Sequence, residues 1–147
     1  MGLDQYAFAY LPHPLSNDYT VGWYEVDKAD RPEGCRVEVA YWRKHADLQG
    51  YMERLWIAKR EAAGNPAQPE TEGWFAGTVV FNCEPVRLTL TDLEQLETAV
   101  NRDHLPHTEG FFFGESQPED KQATLEFIAK AREWIAKGYE IYYDSWW

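Results

Sequence analysis

The feature that most constrains this fold is the irregular order of two hydrophobic periodicities along the chain. Side chains that alternate with a period of two indicate a strand, whereas apolar residues that recur every three or four positions indicate a helix. Strand patterns cover residues 3–10, 35–42, 78–82, 86–90 and 139–147. Helix patterns cover residues 45–63, 91–100 and 118–137. Because the two kinds do not alternate in a regular βαβ series, we expect an α+β fold: one domain over residues 1–147, with a mixed or mainly antiparallel sheet and about three helices packed on it.

Capping residues and helix breakers set the predicted helix boundaries. Thr91 is followed three residues later by Glu94, which predicts a capping box at the start of the second helix. Pro118 suits the first position of the third helix. The polar, proline-containing segment 11–34 predicts a long surface loop, with space for one short strand at residues 21–26.

The strand patterns also predict which side chains share a face. The first strand places three aromatic residues on one side, namely Tyr6, Phe8 and Tyr10. The second strand is predicted to place Cys35, Val37, Val39 and Tyr41 on one side. Arg36, Glu38, Ala40 and Trp42 lie on the opposite side. Residues 142–147 are so apolar that we expect them to dock into the sheet or the core.

Composition narrows the classes of function. The 147 residues include 14 Lys and Arg against 25 Asp and Glu, which gives a formal net charge of −11. A field this negative argues against direct, nonspecific binding to the phosphate backbone of nucleic acids. With 44% hydrophobic and 16% aromatic residues, the chain is too apolar to remain disordered.

Other features predict a cytoplasmic protein. No apolar run approaches the roughly 20 residues of a membrane span, and residues 1–4 lack the basic and apolar regions of a secretion signal. We therefore expect no membrane partner. Two cysteines are too few for a disulfide framework, so Cys35 and Cys83 are predicted to be reduced thiols that pack as small core residues.

The densest group of chemically versatile side chains lies between the second strand and the first helix. Residues 41–45 read Tyr-Trp-Arg-Lys-His, and two cations with an imidazole could hold a carboxylate or phosphate beside the free amides of the helix start. In the simpler interpretation, Arg43 and Lys44 pair with some of the many acids and Trp42 belongs to the core.

A second group surrounds three consecutive phenylalanines. Residues 110–114 place them between two glycines, which indicates a tightly turned backbone closely approached by a strand or a ligand, with core packing the simpler interpretation. His104 and His107, with nearby carboxylates, could share a metal ion, but Pro106 disturbs the geometry that would aim both rings together. We therefore expect no metal and no cofactor. The sequence contains no nucleotide fingerprint, nucleophile elbow or CxxC pair.

Several sequence blocks occur together in a characteristic order. They are MGLDQY at residues 1–6, VAYWRKH at 39–45, LQGYME at 48–53, FNC at 81–83, LP at 105–106, GFFFG at 110–114 and YYDSWW at 142–147. Over nearly the whole chain they resemble a family of small proteins encoded by tailed phages, notably cyanophages, and by some bacteria. The resemblance implies a phage-type accessory protein, in the host cytoplasm if phage-encoded, and implies no particular activity. Some family members carry a phosphoglycerate kinase label, which this chain does not support because it lacks a nucleotide fingerprint and is too short for a two-domain kinase.

These blocks nominate one hypothetical ligand-binding site. Its predicted members are Asp4, Tyr41, Trp42, Arg43, Lys44, His45, Thr108, Tyr143 and Ser145. We expect the first strand, the 42–45 junction, residues 110–114 and the last strand to meet around one cleft. The hypothesis requires Arg43 and Ser145 to lie on the same side of the molecule.

Two functions compete at this point. The leading hypothesis is a noncatalytic acidic interaction protein that modulates a host or phage protein, because exposed aromatics anchor interfaces and Trp23, Tyr24 and Trp74 fall in predicted loops. Mimicry of nucleic acid by patterned carboxylates is one version of it, although acidic surfaces often serve only solubility. The alternative is a small enzyme or ligand-binding protein for a phosphorylated or carboxylated metabolite, in which Arg43 and Lys44 hold the anion. In that alternative, His45 or Asp4 acts as acid or base.

Overall fold

An antiparallel sheet organises the fold. The computed structural model describes residues 2–110 and 112–147, and within these ranges four strands form one sheet in the order β2-β1-β4-β3. They are β1 (Asp4–Tyr10), β2 (Arg36–Arg43), β3 (Val86–Leu88) and β4 (Glu140–Trp146). The same described ranges contain three α-helices: α1 (Ala46–Ala62), α2 (Leu90–Asn101) and α3 (Pro118–Ala136). The predicted α+β class is confirmed, and every described strand pair is antiparallel.

One face of the sheet is covered by the helices and holds the main core. Ala7 and Ala9 of β1 are fully buried on this face, and their small side chains allow larger residues to pack over the central strand. Trp42 of β2 meets Phe127 of α3 edge to face, with ring centroids 5.1 Å apart. Burial of each large apolar side chain contributes about 1.5–3 kcal/mol, so this layer is the chief source of stability. Further members of the core are Leu48, Met52, Trp56, Leu93, Leu96, Ile128 and Ile141.

A β-bulge in β2 changes which side chains face the core. Ala7 pairs with Ala40 but Phe8 pairs with Glu38, so Val39 is an extra residue on β2. A bulge shifts the alternation by one position. Val39 is therefore buried while Tyr41 is exposed, and the prediction that these two share a face is wrong.

Helix α2 begins earlier than predicted. Its N-cap is Thr89, whose side chain accepts the backbone N–H of Asp92 while the Asp92 carboxylate accepts the N–H of Thr89. The capping box is real but lies two residues before the predicted Thr91 and Glu94. Lys59 of α1 fixes this position because its ammonium donates to Asp92 at 2.6 Å.

Two predicted strands differ in the structure. Residues 78–82 form no strand, because the Phe81 carbonyl accepts side-chain bonds from Gln49 at 3.2 Å and Trp147 at 2.8 Å instead of a neighbouring strand's amides. The strand predicted at 86–90 is shortened, because Thr89 already caps α2. Cys83, directly after residues 78–82, has a φ of 57° and is exposed, so the prediction that it packs in the core is wrong. Cys35 is buried.

The other face of the sheet is partly covered by the loop between β1 and β2. Tyr10 and Tyr142 pack edge to face, with centroids 5.7 Å apart, and Val21 from the loop completes this smaller cluster. Residues 21–26 contain a short 3-10 helix, Gly22–Glu25, in place of the possible strand. None of the helices in the described part of the chain is long and apolar enough to cross a membrane.

Candidate functional site

The uncovered end of the sheet displays side chains from three adjacent strands. We call it the open face and define it by Asp4, Tyr6, Tyr41, Arg43, Asp144 and Trp146. In the strand register, Asp4 lies between Arg43 and Trp146, and Tyr6 lies between Tyr41 and Asp144. Tyr41 is 47% exposed and Trp146 is 62% exposed. The open face is therefore an accessible surface on a hydrogen-bonded scaffold.

Asp4 orders the part of the open face contributed by β2. Arg43 Nη1 donates to Asp4 Oδ1 at 2.9 Å, and the Tyr41 hydroxyl donates to the same oxygen at 2.5 Å. The bond to Asp4 raises the pKa of Tyr41, and the bonded Tyr41 with the Asp4 carboxylate raises the pKa of Arg43. One carboxylate thus holds an exposed aromatic ring and an exposed guanidinium side by side.

Aromatic rings continue from this point across the sheet. The ring of Tyr6 lies 5.2 Å from that of Tyr41 and stacks on Phe8 at 5.7 Å. The Arg36 guanidinium lies over the Phe8 ring, 4.8 Å from its centroid. The predicted placement of Tyr6 and Phe8 on one face of the first strand agrees with these contacts.

A cavity adjoins the open face at its edge. It has a volume of about 510 Å³ and is bordered by Gly2, Asp4, Arg43, Trp146 and Trp147. A Cβ added at Gly2 would lie 2.9 Å from the Lys44 side chain and 3.2 Å from Arg43 Nη2, so both cations pack closely against this glycine. Lys44 has a φ of 58° and forms no ion pair with any described residue.

Asp144 carries the least compensated charge of the open face. Burial, with a smaller contribution from the Glu84 carboxylate, raises the pKa of Asp144 to about 6, although the Ser145 N–H, which donates to Asp144 at 2.8 Å, and a hydrogen bond with the Tyr24 side chain oppose the rise. Burial also raises the pKa of Glu84. Among the residues that the structure describes, no cation pairs with Asp144. A positive group from outside the protein would therefore be stabilised here.

Other members of the predicted site lie on the covered face. Trp42, His45, Tyr143 and Ser145 are buried, so the nine predicted residues do not line one cleft. The four predicted segments do lie next to one another: Leu3 N–H donates to Phe112 O, and Lys44 N–H donates to Leu3 O. Arg43 and Ser145 nevertheless project to opposite faces of the sheet, since Ser145 pairs with buried Gln5 while Arg43 pairs with Asp4.

The buried members form a polar network that begins at Gln5. Its carboxamide nitrogen donates to the His45 carbonyl at 2.9 Å and to the Tyr143 hydroxyl at 2.8 Å. Its carboxamide oxygen accepts the N–H of His45 at 2.8 Å. Gln5 therefore ties the start of α1 to the centre of the sheet.

Gln49 of α1 continues this network. The Tyr143 hydroxyl donates to Gln49 Oε1 at 2.5 Å, and Gln49 Nε2 donates to Ser145 Oγ at 3.0 Å and to the Phe81 carbonyl at 3.2 Å. All four amide hydrogens of the two glutamines thus have acceptors. A network whose amide hydrogens are all accepted within the protein fixes the core.

His45 is tied to a serine that sequence reasoning missed. His45 Nδ1 lies 2.6 Å from Ser116 Oγ, and this oxygen also accepts the Asp47 N–H at 3.0 Å. Ser116 thereby caps α1, since the His45 side chain makes no capping bond. Burial lowers the pKa of His45. The two residues are 71 positions apart, so no local spacing could have predicted their contact.

Thr108 holds the loop before residue 110 against α1. Its N–H donates to Asp47 Oδ1 at 3.0 Å, and its hydroxyl donates to the Pro106 carbonyl at 2.8 Å. A Cβ added at Gly50 would overlap the Thr108 side chain, which shows how closely helix and loop approach. In the described part of the chain, no group of three His, Cys, Asp or Glu residues could hold a metal ion.

Comparisons with protein-family models, curated proteins and solved structures found no match to this chain.

Proposed function

We propose that this protein is a noncatalytic interaction protein that binds a partner protein through the open face. The observation that carries the proposal is the exposure of Trp146 on the same ordered surface as Tyr41 and Arg43, across β1 from them. Trp, Tyr and Arg are the residue types most enriched at binding hot spots. Because Asp4 already fixes Tyr41 and Arg43, little side-chain freedom would be lost on binding.

The partner surface is basic. The protein has a net charge of −11, and the open face includes Asp144, whose carboxylate has no cation beside it in the described part of the chain. A Lys or Arg of the partner would lower the free energy of the charged Asp144, and the overall field would accelerate association. The sequence resemblance to phage proteins supports a host or phage protein as the partner.

Affinity capture tests this proposal. Bait protein is incubated with lysate of the host at moderate and at high salt, and we expect one stoichiometric partner whose retention falls at high salt. The double variant Tyr41→Ala/Trp146→Ala should lose that partner. Trp74→Ala is the matched control, because Trp74 is 86% exposed but lies outside the open face. Recovery of no stoichiometric partner, or equal recovery by the double variant, would contradict the proposal.

A second candidate function is the binding of an anionic metabolite in the cavity beside Gly2. The observation that favours it is the close packing of Arg43 and Lys44 against Gly2 at the wall of a cavity of about 510 Å³. The bond from Arg43 to Asp4 reduces the positive charge left for an anion, which makes this the second candidate.

Thermal-shift screening with phosphorylated and carboxylated metabolites tests this second candidate. A ligand at one hundred times its Kd adds about 2.7 kcal/mol of stability. Arg43→Ala should abolish the shift and Lys130→Ala should preserve it, since Lys130 is exposed on α3. A shift that survives in Arg43→Ala would reject this site.

A further inference from the structure

A smaller cavity lies against the last residue of the sequence and is separate from the open face. It has a volume of about 160 Å³, and we call it the Trp147 cavity. Binding pockets for larger organic ligands usually measure about 300–1,000 Å³, so this one suits a single small head group. The lining residues that matter here are Glu53, Phe75, Glu109, Phe113 and Trp147.

Three of these residues contribute aromatic rings in a nearly orthogonal arrangement. Phe75 meets Trp147 at an interplanar angle of 83°, with centroids 5.3 Å apart. Phe113 meets the same indole at 81° and 5.4 Å. All three rings border the cavity, and aromatic rings attract an organic cation electrostatically.

The central ring is held in place by the surrounding chain. The Trp147 indole N–H donates to the Phe81 carbonyl at 2.8 Å. The carboxamide of Asn82 forms two hydrogen bonds with the backbone of Trp147: it accepts the Trp147 N–H at 3.0 Å and donates to the Trp147 carbonyl at 3.1 Å. Trp147 therefore does not need to be ordered when a ligand binds, which favours affinity.

Two carboxylates border the same cavity. Glu53 of α1 is half-buried, and its carboxylate forms no hydrogen bond or ion pair with the described residues. Burial raises the pKa of Glu53, and the neighbouring Arg54 only partly opposes this. Glu109 is exposed, and its carboxylate lies 3.3 Å from His107 Nε2. A half-buried acid without a counter-charge, next to three rings, favours a cation and disfavours an anion.

We propose that the Trp147 cavity binds an alkylated ammonium group, with the rings of Phe75, Phe113 and Trp147 around the cation and Glu53 as its counter-charge. Alkyl groups on the nitrogen suit this cavity because they contact the rings and carry less tightly held water than a primary ammonium does. The group belongs either to a free quaternary ammonium metabolite or to a methylated lysine of another protein. The proposal does not rest on the partner proposed for the open face.

Calorimetric titration with choline and with its uncharged isostere 3,3-dimethylbutan-1-ol separates charge from shape. Choline should bind saturably and at least tenfold more tightly than the isostere. Glu53→Gln and Phe113→Leu should each weaken choline binding about tenfold, and Glu61→Gln should not, since Glu61 lies on the same helix outside the cavity. Circular dichroism checks that each variant is folded. If Phe113→Leu does not fold, Glu53→Gln still tests the proposal.

Two peptides distinguish the sources of the cation. One carries a trimethyllysine and the other the unmodified lysine at the same position. Tighter binding of the trimethyllysine peptide than of choline assigns the cavity to a methylated protein. If choline binds and the trimethyllysine peptide does not, the cavity is assigned to a free metabolite. Equal affinity for choline and its isostere, or saturable binding of neither choline nor the trimethyllysine peptide, would overturn the proposal.

Discussion

The two faces of the sheet use polar residues in opposite ways. On the covered face, Gln5 and Gln49 donate all their side-chain amide hydrogens to partners within the protein. On the open face, Asp144 lacks a cation in the described part of the chain, and Trp146 remains 62% exposed. The covered face is therefore built for stability, and the contrast supports the binding role that we propose for the open face. Adjacent residues of β1 contribute to both faces, since Gln5 points to the covered face and Asp4 to the open face.

The largest effect is expected from opening the buried network. Tyr143→Phe removes the hydroxyl that accepts from Gln5 and donates to Gln49, which leaves two buried polar groups without a partner. Each orphaned group costs about 1–3 kcal/mol, so the variant should lose about 2–6 kcal/mol of unfolding free energy. Urea denaturation measures the change. Tyr41→Phe is the control, and its expected change is within about 0.5 kcal/mol because the Tyr41 hydroxyl is on the surface. Equal losses in both variants would remove the distinction between the faces.

A smaller effect of opposite sign is expected at Asp144. A carboxyl whose pKa is raised from 3.8 to about 6 favours the protonated folded state, so its contribution to stability is lost as pH rises through that window. Asp144→Asn should therefore be more stable than the parent above pH 6, by about 1–3 kcal/mol. Below pH 4 the two proteins should converge. Urea denaturation across this range checks the prediction, and a variant that is less stable at neutral pH would contradict it.

The smallest effect on stability is expected at Arg43. Its guanidinium is solvent-exposed, and exposed ion pairs contribute little to folding. Arg43→Ala should leave the urea midpoint unchanged while weakening whatever binds to the open face. A clear drop in the midpoint would mean that the pair with Asp4 is structural.

Periodicity predicted the elements of this fold better than their details. The strands β1, β2 and β4 and all three predicted helices are present, because their patterns reflect burial on one face. The bulge at Val39 has no periodic signal of its own, and it places Val39 and Tyr41 on opposite faces of the sheet. Residues 78–82 have an apolar pattern, and Phe81 is indeed buried, but they form no strand. The Phe81 carbonyl accepts hydrogen bonds from side chains that are distant in the sequence.

The site was less predictable than the fold, for a related reason. The pairing of β1 with β2 brings Asp4 to Arg43, so these two predicted residues do meet. Alternation within β4 sends Ser145 inward and Trp146 outward, which separates neighbours that the sequence blocks present together. Ser116, Glu53 and Phe75 were missed because their contacts join distant parts of the chain.

The most direct test of this division of roles is the affinity of the Trp146→Ala variant for the purified partner, measured with the urea midpoint of the same preparation. Truncation of a central aromatic anchor typically costs about 2 kcal/mol or more of binding free energy. We predict a loss of binding of more than tenfold at an unchanged midpoint. Binding equal to that of the parent protein would contradict the assignment of the open face as the interaction surface.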